Sequence, residues 1–98
     1  MNEADLLIAR AAYHEAVTVC VVADASLITK REAARVALIA AYTSSERRYH
    51  KAICCAHDTQ RAVYAAERTC ELASIELSKA VVNVANCAGW ITPKVFLR

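Results

Sequence analysis

Apolar residues run through this chain in long helical stretches, and the polar residues between them mark three candidate helices. Asn2, followed by Glu3 and Asp5, has the form of a helix start, a capping side chain with acids in the first turn. From there the pattern predicts helix to about Ala25, with Ser26-Leu27-Ile28 as the first link. Thr29-Lys30-Arg31-Glu32 matches the T-x-x-E capping box, so a second helix is expected over about 30–56. Thr43-Ser44-Ser45-Glu46 repeats the box inside it. A break there would make four helices, but no Gly or Pro enforces one, and a continuous helix is the reading preferred.

His57-Asp58-Thr59 is the next link. A third helix over about 59–88 follows, ended by Gly89 and the nearby Pro93. Along it Val63, Cys70, Leu77, Val81 and Val84 make an apolar stripe. Short links make neighbouring helices antiparallel. The expected fold is therefore all-α: one domain over 1–98, an up-down-up bundle of three long helices at about 3–25, 30–56 and 59–88, with a short non-helical tail over 89–98.

Composition supports the helical class. The one Gly and one Pro both fall in the last ten residues, and Ala, the best helix former, is the commonest residue. Sheets and hairpins lean on Gly and Pro at their turns. Phosphate-cradling motifs need two or three glycines and cannot be written in this chain. No nucleophile elbow exists either.

Laid antiparallel, three helices bring three nearly all-round apolar stretches to one end: 16–23, 33–42 and 80–88. A helix apolar on every side needs cover on every side. Candidate covers are the tail, with Trp90, Ile91, Val95, Phe96 and Leu97, and a second subunit. A membrane span is not expected, because no uncharged run reaches the roughly 18–20 residues a spanning helix needs. Val17, Val21, Val36, Ile39, Val81 and Val84 join those five tail residues as the expected protein interface.

Net charge is +2, which names no partner in bulk. Residues 1–29 carry a balance of −3 and residues 30–58 one of +3, which favours pairing between an acidic first helix and a basic second one. The five cysteines, Cys20, Cys54, Cys55, Cys70 and Cys87, are odd in number, form no C-x-x-C pair and follow an acidic start unlike a signal peptide. Free thiols in a reducing cytoplasm are the expectation.

Two clusters carry candidate chemistry. His50, Cys54 and His57 stand at helical spacing, and imidazole and thiolate suit zinc or copper. Three ligands on one straight helix span too far to close around one ion, so no metal and no cofactor are expected. Arg47, Arg48 and Lys51, with Arg61, are candidate contacts for nucleic acid or an acidic partner, with Tyr49 available for stacking. The cysteines beside His50 and His57 lack an orienting group and any glycine for an oxyanion cradle, so catalysis is not expected. The function expected is a small protein-interaction module (an inhibitor, adaptor or assembly factor) that self-associates or binds a protein partner through its apolar end and tail. The alternative is a nucleic-acid-binding or metal-responsive regulator using residues 46–61.

Overall fold

A computed structural model describes residues 3–89, and they form two long helices instead of three. Helix α1 spans Glu3–Thr43 and helix α2 spans Glu46–Ala88, with only Ser44 and Ser45 between them. The all-α class stands, and the three-helix, up-down-up arrangement does not. The tail residues named above as interface, Trp90, Ile91, Val95, Phe96 and Leu97, lie outside the described residues.

Each misplaced link has a physical reason. Ser26, Leu27 and Ile28 continue α1, and the Thr29 hydroxyl donates back to the Ala25 carbonyl at 3.1 Å rather than capping a new helix. Thr59 does the same within α2, donating to the Ala56 carbonyl at 2.9 Å. A Ser or Thr that bonds the preceding turn sits comfortably inside a helix, so its capping sequence goes unused.

The real break falls at Thr43-Ser44-Ser45-Glu46, and it makes two helices of what was expected to be one. Ser44 donates to the Ala41 carbonyl at 2.9 Å, satisfying an acceptor that the end of α1 leaves open, while the Thr43 hydroxyl donates to the Ile39 carbonyl at 2.9 Å. The Ser45 carbonyl accepts from the amides of Arg48 and Tyr49, both at 2.9 Å, and opens α2. Among the described residues no non-glycine residue has a positive φ, and only Gly89, just past α2, does, at 73°. Two serines therefore turn the chain with ordinary backbone angles, and glycine is not required.

The described chain forms two contact units, one of residues 22–71 and one joining the ends, 3–21 with 72–89. The first is a helical hairpin about the Ser44-Ser45 link. On its α1 arm Ala23, Leu27, Ala34, Ala37 and Ala41 turn inward; on its α2 arm Ala52, Ala56, Thr59, Val63, Ala66 and Cys70 do. In the second unit the inward positions are Leu6, Ala9, Tyr13, Ala16 and Cys20 with Ala73, Leu77, Ala80 and Val84. The spacing alternates three and four, apart from Lys30, which is exposed where the series would place it, and Ala85, which is buried one residue past its end. That is the heptad pattern of a left-handed coiled coil.

One position of each heptad is held mainly by alanine: Ala9, Ala16, Ala23 and Ala37 on α1, and Ala52, Ala66, Ala73 and Ala80 on α2. Of the buried hydrophobic residues among those described, only Val63 is larger than alanine; the others are Ala9, Ala23, Ala41, Ala66, Ala73 and Ala85. A methyl-sized seam lets helix backbones approach closely, but it removes little apolar area per residue, about 0.8 kcal/mol per buried methylene-sized group.

The expected gathering of apolar stretches at one end rested on three antiparallel helices and falls with that arrangement. Among the described residues, Arg31–Glu67 at 3.5 Å joins α1 to α2 and each of the other four ion pairs lies within a single helix, so none links the acidic stretch 1–29 to the basic stretch 30–58. Of the stripe expected over 63–84, Val63, Cys70, Leu77 and Val84 do turn inward, while Val81 is exposed.

A close-approach seam leaves no room for added volume. Ala66→Leu is expected to destabilise the chain by about 1–3 kcal/mol through overpacking. Ala65→Leu, one residue along on the exposed side, should shift it by less than about 0.5 kcal/mol. Urea unfolding followed by circular dichroism separates the two, and equal effects would refute the seam.

Candidate interaction surface

The outward side of α1, directly opposite the seam, is also apolar. Within the hairpin unit this face carries Val22, Ile28, Val36, Ile39 and Tyr42, with exposures from 49 % at Ile39 to 80 % at Tyr42. In the other unit it carries Leu7, Ile8 and Val21. These residues recur at heptad spacing half a turn away from the alanines, which is why α1 has no single apolar side. The outward side of α2 is different. In the hairpin unit it exposes Arg47, Arg48, Lys51, Asp58, Arg61, Arg68 and Glu71.

Most polar groups on the α1 face in the hairpin unit are satisfied within the helix. Thr29 donates to Ala25, and Thr43 to Ile39. Glu32 and Arg35 grip each other through two hydrogen bonds, 2.6 Å from Nη2 to Oε1 and 3.1 Å from Nε to Oε2. The Arg35 guanidinium holds the Glu32 carboxyl below its ordinary value, by hydrogen bonding first and charge second, and Arg35 is raised in return. Groups already bonded lose little when water leaves, whereas unpaired polar groups on a dried surface are costly. Beside this face a shallow, largely apolar groove runs between the helices, lined by Ile28, Ala33, Val36 and Ala37 from α1 and by Cys55 and Thr59 from α2.

The interface residues expected from sequence scatter over this geometry. Val36 and Ile39 lie on the outward α1 face of the hairpin unit; Val21 lies on that face in the other unit; Val81 is exposed on α2. Val17 and Val84 are half-buried. Ile28 and Tyr42, among the most exposed large apolar side chains, were missed. Their signal was the seven-residue spacing of Val21, Ile28 and Tyr42, with Arg35 interrupting the series.

The two chemical clusters are placed differently. His50, Cys54 and His57 are all exposed, and no group of three metal-ligating side chains occurs among the described residues. Arg47, Arg48 and Lys51 border a depression beside the link with Thr43, Ser44 and Ser45, while Arg61 sits 3.8 Å from Asp58.

Against the expectation from sequence, α1 is by length and composition long and apolar enough to cross a membrane, and only 11 % of an apolar 18-residue window within it is buried. No family model, no curated protein and no solved structure matches this chain.

The Glu32–Arg35 grip has a measurable signature. A lowered carboxyl pKa contributes stability that is present above the ordinary glutamate range and is lost as pH falls through the lowered value. In a ¹³C-detected titration Glu32 should be among the last carboxylates to protonate on acidification. Arg35→Gln should return it to the ordinary range, and an unchanged midpoint would show that Arg35 is not the cause.

Proposed function

We propose that this chain is a protein-interaction module, a helical hairpin that offers the outward face of α1 to another protein surface. The reading rests on one observation. Large apolar side chains stand on the solvent side of α1, while small ones occupy the seam, where large ones would ordinarily be. Single exposed apolar residues are common on any protein, but several large ones gathered on one helix face mark an interface.

The α1 face has the right chemistry for protein rather than nucleic acid. It carries no unpaired cation within the hairpin unit, and the basic residues near the link belong to α2. The small core supports the same reading. Helices held by an alanine seam gain only modest apolar burial from each other, so a second layer over the α1 face adds a large share of the stabilisation.

Replacing Ile28, Val36 and Tyr42 together with Lys tests the proposal. A fluorescent dye that senses apolar surface should bind the dilute wild-type chain and lose most of its signal with the triple variant, while helical circular dichroism is retained. Tyr64→Lys, on α2, should leave the dye signal nearly unchanged. A triple variant that loses its helix, or a wild-type chain that binds no dye when dilute and monomeric, overturns the reading.

A further inference from the structure

Within the hairpin unit, the outward α1 face has a feature that selects its own occupant. Its central charges, Glu32 and Arg35, are of opposite sign and one turn apart, with large apolar residues on both sides: Val22 and Ile28 before them, Val36, Ile39 and Tyr42 after them. We infer that the occupant is a second copy of this chain, docked α1 against α1 in the antiparallel sense about a twofold axis near Ala33 and Ala34. This rests on the interaction reading above and names its partner.

In that arrangement Glu32 of each copy meets the partner's Arg35, so two intramolecular ion pairs become a ring of four alternating charges. The same register brings Ile28 against the partner's Ile39 and Ala25 against the partner's Tyr42. A twofold interface uses one patch twice and must be complementary to itself. The antiparallel arrangement meets that condition, whereas a parallel, in-register pairing would set Glu32 beside Glu32 and Arg35 beside Arg35, a like-charge juxtaposition that interfaces avoid.

The area is sufficient. Five side chains, four exposed by more than half and Ile39 by 49 %, leave on the order of 600 Å² per copy, so the pair buries up to about 1,200 Å², the lower bound of specific interfaces. A bilayer is the less suitable occupant, because it would receive the Glu32–Arg35 pair with no partner charges to complete it, and ionisable groups are costly at membrane depth.

The experiment is sedimentation equilibrium of the full chain under reducing conditions over a range of concentrations, using the wild type, Glu32→Arg and Arg35→Glu. The wild type should dimerise. Each variant gathers four like charges at the axis, and its self-association should weaken by about tenfold or more. Mixing the two variants sets Arg against Glu at every contact, and a one-to-one heterodimer should return. Both substitutions lie on the exposed face, and circular dichroism confirms that the helices persist.

A wild-type monomer, a dimer indifferent to both changes, or a mixture that fails to recombine would each overturn the inference. A monomer that still binds the apolar-sensing dye leaves the interaction reading standing and removes only the self-partner. A monomer without dye binding removes both. A monomer that partitions into phosphatidylcholine vesicles assigns the α1 face to a bilayer instead.

Discussion

Close approach of backbones along an alanine seam is the constraint on which the rest of this structure depends. With methyl groups at one position of almost every heptad, the two arms of the hairpin unit meet with little side chain between them. The apolar bulk that a helix pair would ordinarily bury has no place there. On α1 it stands on the opposite side, at Val22, Ile28, Val36, Ile39 and Tyr42. Seam and outward face are thus two results of one allocation of residue size around a single helix.

The helices divide the remaining work unequally. In the hairpin unit α2 keeps its outward side charged, with Arg47, Arg48, Lys51, Asp58, Arg61, Arg68 and Glu71 exposed, which suits water. The α1 face silences its polar groups locally, through hydroxyls returned to the preceding turn and a carboxylate bound to its own guanidinium. Hydrogen bonds of this kind add little to an exposed helix. They matter when the surface dries, since fewer donors are then left without an acceptor.

The helical class was legible from the absence of Gly and Pro before position 89, and the inward stripe of Val63, Cys70, Leu77 and Val84 from its spacing. The number of helices was not legible by the same means. Thr29 and Thr59 present capping patterns that their hydroxyls answer within the helix, while Ser44 and Ser45 make a turn with no residue that forces one. On α1 the seam was hidden because stretches such as 16–23 are apolar on both sides, which erases the contrast that reveals an amphipathic helix. The alanines at seven-residue intervals held the information, and the size of the residues, not their polarity, separated inside from outside.

An alanine repeat has a further consequence for how the two arms choose their alignment. If one arm slides past the other by two turns, methyl groups again face methyl groups, so the contact surface alone barely discriminates among such settings. What fixes the setting in the hairpin unit is the shortness of the Ser44-Ser45 connection, helped by the Arg31–Glu67 bridge. Two serines thereby act as the ruler for the pair, and the length of that connection is the place where the sequence encodes alignment.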